Sequence, residues 1–165
     1  MRICVCFALL FAAALLTTCR TAGRTLTMHT LPNYDPRATH RILYLDFDVT
    51  RAGPGKPEQA VLTNVILGNG QLKNISRGAH NPYQINVVRY FSDKRLPQRD
   101  SLAHPLFKSL EVADRDGTLS RRLTSDLTGH VSLRFAYPEA LTKIELYSST
   151  PDGGTTKLYT LRLKL

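Results

Sequence analysis

From residue 41 to residue 165, apolar and polar side chains alternate with a period of two in one short run after another. That period marks half-buried β-strands, because successive side chains leave a strand on opposite faces. In 41–50, Leu43, Leu45, Phe47 and Val49 share one face, and Ile42, Tyr44, Asp46 and Asp48 the other. In 60–67, Val61, Val65 and Leu67 oppose Leu62 and Ile66. Gly68-Asn69-Gly70 then predicts a tight hairpin returning through 71–75. Further strands are expected at 82–91 (Tyr83, Ile85 and Val87 on one face), 105–113 (Leu106, Leu110 and Val112) and 119–123. The clearest is 130–137, with Val131, Leu133 and Phe135 inward and His130, Ser132 and Arg134 outward. Runs at 142–149 and 157–165 complete the series.

About eight short strands, separated by Gly, Asp and Pro turns and with no amphipathic helix of a dozen residues, predict an all-β domain. The spacing favours an antiparallel β-sandwich over 41–165, with a closed barrel as the alternative. The turn Asp126-Leu127-Thr128-Gly129 and its flanking strands resemble transthyretin-like and immunoglobulin-like modules over about thirty residues.

The N-terminal forty residues break this pattern. Met1-Arg2 is a short positive start, and residues 3–16 form an unbroken apolar run. A membrane-spanning helix needs about 20 such residues, so the run predicts a signal peptide over 1–18. No later segment is apolar enough to span. Leu16-Thr17-Thr18-Cys19 resembles the lipobox of bacterial lipoproteins, differing from it at Thr18, where Gly, Ala or Ser is usual. The resemblance implies lipid modification of Cys19, with Cys19 as the first mature residue. Plain secretion, with cleavage after Gly23, is the alternative. Residues 19–40 carry no sustained period, and Pro32 and Pro36 break any helix. They are expected to form a flexible tether, with Leu31 and Tyr34 resting on the domain edge.

Composition then narrows the chemistry. Of three cysteines, Cys4 and Cys6 leave with the leader and Cys19 is lipidated or removed. No thiol remains for a nucleophile, a metal site or a disulfide. Lys and Arg number 22 against 13 Asp and Glu, a balance of +9. The excess is spread along the chain, which argues against a nucleic-acid groove.

Candidate catalytic chemistry is sparse. Asp46 and Asp48 share a strand face and could serve acid–base work or a hard cation, but a solvated face opposite Arg or Lys explains them more simply. Asp114-Arg115-Asp116-Gly117 looks like the start of a calcium loop, yet the basic sequence after it favours a hairpin turn. The five histidines make no metal-ligand spacing, and His80 and His104 are expected at the surface. Asn74-Ile75-Ser76 has the form of a glycosylation sequon. No cofactor and no catalytic residue are implied.

The best candidate for function is the stretch 89–104, expected to be a long crossover between sheets. It holds Arg89, Tyr90, Lys94, Arg95, Leu96 and Arg99, cations interleaved with apolar groups. Such loops carry binding on a rigid scaffold. The expected function is a lipid-anchored, non-enzymatic binding or assembly module of the cell envelope, at the outer membrane, with a protein partner. The architecture resembles small lipid-anchored β-sandwiches that serve bacterial secretion machines as outer-membrane subunits, including the type VI lipoprotein. Acidic glycans or anionic lipid headgroups are the alternative ligands, and a hydrolase built on Asp46 and Asp48 is a third reading.

Overall fold

A computed structural model describes residues 22–73, 81–113 and 115–165. Among them are ten strands: β1 (Ala22–Thr27), β2 (Arg41–Arg51), β3 (Glu58–Asn69), β4 (Gln84–Phe91), β5 (Gln98–Ala103), β6 (Phe107–Ala113), β7 (Leu119–Ser125), β8 (Thr128–Ala136), β9 (Leu141–Thr150) and β10 (Gly154–Lys164). They form an all-β sandwich. One sheet has the order β1-β10-β9-β4-β5 and the other β3-β2-β8, while β6 and β7 make a separate hairpin. Every pairing is antiparallel except β1 with β10.

The core lies between the two sheets. β2 contributes Leu43, Leu45, Phe47 and Val49, all fully buried as their alternation predicts, and β8 adds Val131, Leu133 and Phe135. Facing them are Ile85 and Val87 of β4, Ile144 and Leu146 of β9, and Tyr159 and Leu161 of β10. Phe47 and Tyr159 meet edge to face across the sheets, ring centroids 5.3 Å apart.

Bulges decide which residues face in. Asp46 pairs with Asn64 but Phe47 with Leu62, so Thr63 is the extra residue of β3. Its hydroxyl donates to the Asp46 carbonyl at 3.0 Å. The extra residue reverses the facing: Ala60 and Leu62 point inward before it, Leu67 after it, and Val61 is exposed. The expectation that Val61 shares a face with Leu67 is thereby corrected. β3 also runs through Gly68 to Asn69, which pairs with Arg41, so the hairpin expected at 68–70 does not form there. Of its return strand, residues 71–73 are not in a strand, and Asn74 and Ile75 lie outside the described residues.

The N-terminal segment differs most from expectation. Residues 22–40 are no free tether. β1 zips parallel to β10 from Ala22–Tyr159 to Thr27–Lys164, and a single 3-10 turn (Met28–Thr30) follows. Leu26 and Met28 are buried, and Leu31 and Tyr34 pack against the core. Arg41 fastens the rest: its guanidinium donates to the carbonyls of Asp35 and Pro36, reaches Glu139 and lies over the Tyr34 ring. The physical reason is the unpaired edge of β10, whose backbone groups are satisfied by a passing extended segment. The leader, Cys19 and residues 20 and 21 lie outside the described residues, as do the sequon Asn74-Ile75-Ser76, His80 and Asp114. No helix among the described residues is long and apolar enough to cross a membrane.

The β6–β7 hairpin also departs from expectation. Leu110 was expected inward but is half exposed, as is Leu123, and Leu119 is largely exposed, because within the described residues these two strands pair only with each other. Its turn is a local Asx turn: Asp116 accepts from the Thr118 amide and hydroxyl, and Gly117 takes φ 83°.

Candidate functional site

The two sheets part along one side, where the edge strands β5 and β8 face each other without pairing. Between them lies a cleft of about 860 Å³. Its walls carry Arg89, Arg95, Asp100, Leu102 and Phe135, with Lys73, Arg41 and the outward-facing Arg134 at its margin.

Alternation places these groups. Val87 and Ile85 of β4 are core residues, so Arg89, two further along, also points inward, as does Asp100 of β5, which pairs with Val87. Arg89 donates to Asp100 at 2.6 Å and lies 4.7 Å over the Phe135 ring. Its Nε is buried without a hydrogen-bond partner among the described residues. Arg95 forks onto Asp93 and covers the Phe91 ring. Arg134 and Lys73 are exposed and carry no salt bridge among the described residues. Arg134 stands on the outward face of β8, so the positive excess lies at the rim of the cleft, above a floor that is apolar between the paired Arg89 and Asp100.

The stretch 89–104 is thus a hairpin and not a crossover. Residues 98–103 form β5, and the irregular part shrinks to 92–97, where Lys94 turns the chain at φ 63°. Lys94, Arg95 and Leu96 sit at the tip, with Leu96 84% exposed. Arg99 is on β5, exposed. The structure brings Arg89 and Arg95 to the cleft and sends Tyr90 away from it.

Tyr90 belongs to the outer face of the five-stranded sheet. There its hydroxyl and that of Tyr147 donate to Glu145 Oε2 at 2.7 and 2.8 Å, while Lys157 and Lys143 hold Oε1 at 2.9 and 3.2 Å. Burial opposes ionisation of Glu145, but these four donors outweigh it and bring its pKa down to about 2. The same carboxylate pushes the Tyr90 phenol upward, with burial adding to it. This network is structural: it joins β4, β9 and β10 on one face.

Asp46 and Asp48 lie on the opposite outer face. Ser132 donates to Asp46 at 2.7 Å and Asn64 to its other oxygen at 2.9 Å. His130 Nδ1 is 3.0 Å from Asp48 and Nε2 is 3.2 Å from Ser132 Oγ. Their cross-strand partner is His130, and not the Arg or Lys expected. The single Ser132 proton goes to Asp46, so His130 Nε2 supplies the hydrogen between the imidazole and Ser132. That matches an imidazole pKa raised first by the hydrogen bond to Asp48, and against burial, by both carboxylates. Hydrogen bonds from Ser132 and Asn64 hold Asp46 low. Neither Asp lines the cleft or the second hollow, of about 660 Å³, between β8 and β6. No group of three or more metal-ligating side chains occurs among the described residues.

His104 is buried rather than at the surface. Its Nδ1 accepts the Leu106 amide at 3.2 Å, so the proton sits on Nε2, between Ser148 Oγ at 3.0 Å and Glu58 at 3.1 Å. It ties β9 to the start of β3 across the core. Arg134, Lys73 and Phe135 were missed as site residues. The outward alternation of Arg134 was legible, but its place at the cleft rim depends on sheet order. A scan against family models, a search of curated proteins and a search of solved structures each find no match to this chain.

Proposed function

We propose that the chain is an exported binding module, held at the bacterial cell envelope by a lipid on Cys19, that receives a protein partner at the open side of its sandwich. One observation carries the reading: the β5–β8 side is an open cleft with an apolar floor and, at its rim, the exposed cations Arg134 and Lys73, which have no ion-pair partner among the described residues. Charge of one sign in a cleft accelerates encounter with an oppositely charged partner, and apolar surface then holds it.

The position of β1 favours a protein over lipid headgroups. Cys19 is three residues from Ala22, at most about 10 Å of chain. A lipid there would hold the domain close to the bilayer, near β1. The parallel register carries β1 from the level of Tyr159 toward Lys164, and the β4–β5 tip lies beyond that latter end. Lys94, Arg95 and Leu96 would then point away from the lipid.

Two measurements test this. Incorporation of a labelled fatty acid should depend on Cys19, and Cys19→Ser should release the domain from membranes. A photo-crosslinking residue at Leu96 or Arg134 should give a discrete protein adduct in intact cells, lost on charge reversal of the cleft. The same residue at Thr25, on the opposite side, should give none. Equal adducts at both positions, or none at either, would sink the reading.

A further inference from the structure

Resting on the open side as docking surface, the mode of docking follows from the hydrogen-bond phase of β8. In an antiparallel pair, residues opposite each other alternate between exchanging backbone hydrogen bonds and not. The Tyr137 amide donates to the Arg41 carbonyl, and the Arg51 amide to the Leu127 carbonyl. Both couples continue the β2–β8 register, which joins Leu43 to Phe135 and Leu45 to Leu133. Odd-numbered residues of β8 therefore spend their backbone groups on β2. Ser132, Arg134 and Ala136 turn theirs outward, to an edge that no strand among the described residues occupies.

The other end of β8 is shielded. A Cβ on Gly129 would sit 2.7 Å from Pro105, so Pro105 lies hard against the strand there. The free edge is the half that borders the cleft.

We infer that this half of β8 binds an extended acidic segment of the partner by strand addition. Backbone groups of Ser132, Arg134 and Ala136 would extend the β3-β2-β8 sheet by one strand. The period of two then sorts the partner's side chains. Those facing in would meet Leu102 and the flat face of the Arg89 guanidinium that covers Phe135, so they are apolar. Those facing out would lie beside Arg134, so they are acidic. A second copy of this chain is disfavoured as occupant, because its own edge carries the same positive charge.

The test uses the protein with a fluorescent heptapeptide of alternating Glu and Val, read by anisotropy at low salt. Three changes probe the contact. Arg134→Glu should weaken binding about tenfold or more. Methylation of alternate backbone nitrogens of the peptide, which keeps its charge and side chains, should weaken it as much. Ala136→Pro removes an outward amide but no β2 hydrogen bond, so it should lower affinity while melting normally.

Loss of affinity in all three supports strand addition. Binding that survives both N-methylation and Ala136→Pro overturns it, yet leaves the cationic cleft as the docking surface. Binding indifferent to Arg134→Glu places the segment elsewhere and overturns the assignment to β8. No binding at millimolar peptide overturns the acidic, alternating occupant. Failure of the broader reading would show separately, in crosslinks that do not distinguish Arg134 from Thr25.

Discussion

The two lateral sides of this sandwich have been finished in opposite ways. On one side β1 lies against β10, and Leu26 and Met28 fill the gap between the sheets. On the other, β5 and β8 stay apart, and the gap is lined by Arg89, Arg95 and Asp100, with Arg134 at its rim. An apolar gap must be filled, because exposed hydrophobic surface is unfavourable. A gap lined with ion pairs and long cationic stems can stay wet, and inward-pointing charge also deters edge-to-edge aggregation. The closed side is thus a matter of folding; if the open side serves recognition, as proposed, substitutions on the two should separate stability from binding.

The largest effect is expected on the closed side. Met28→Asp puts a carboxylate into a fully buried site, which should destabilise by about 4 kcal/mol or more. A chain starting at Arg37 loses β1 and should be similarly unstable, exposing the β10 edge. Circular dichroism melts check both; a chain from Arg37 that melts like the parent would make β1 a mere passenger.

The Glu145 network, which lies on neither side, calibrates the comparison. Glu145→Gln puts an amide donor where four donors converge, with an expected loss of about 2 kcal/mol. Because the Glu145 pKa in the folded protein is depressed, its contribution is present above the ordinary carboxylate range. It is lost as pH falls from there toward about 2. Acid melts should therefore show a drop that is shallower in Glu145→Gln.

On the open side, Arg134→Glu should shift stability by no more than about 0.5 kcal/mol, because the residue is exposed and has no ion-pair partner among the described residues. Arg24→Glu on β1 should be as mild. Only the first should impair capture of the partner. A melting loss in Arg134→Glu comparable to that of Met28→Asp would erase the distinction between the sides.

The smallest effect concerns His130. Its raised pKa means that its favourable pairing is fully present below the ordinary imidazole value and fades as pH rises through the raised one. His130 is more than half exposed, so the stability change should be slight. Titration of its ring proton by NMR should show a pKa above the ordinary value, falling toward it in Asp48→Asn.

The strands of the central sheets were legible because their signal is local. Leu43, Leu45, Phe47 and Val49, or Val131, Leu133 and Phe135, each report burial on one face without reference to any other segment. The facing of β3 was not legible, since the bulge at Thr63 exists only against Asp46 and Phe47 of β2. β5 was hidden for a like reason: Gln98-Arg99-Asp100-Ser101 has no apolar alternation, and its strand is imposed by pairing with β4. β1 likewise owes its form to the unsatisfied edge of β10. The site was half legible. Arg89, Arg95, Leu96 and Arg99 stood out as cations near apolar groups in one short stretch. Tyr90, next to Arg89 in sequence, went to the opposite face because neighbours on a strand always do. Arg134 and Phe135, some forty residues away, joined the cleft through sheet order alone. Composition and period determined that this chain folds as strands around one core. Which edges closed, and which stayed open with charge upon them, depended on long-range pairing, where each strand's backbone groups find partners that no local pattern specifies.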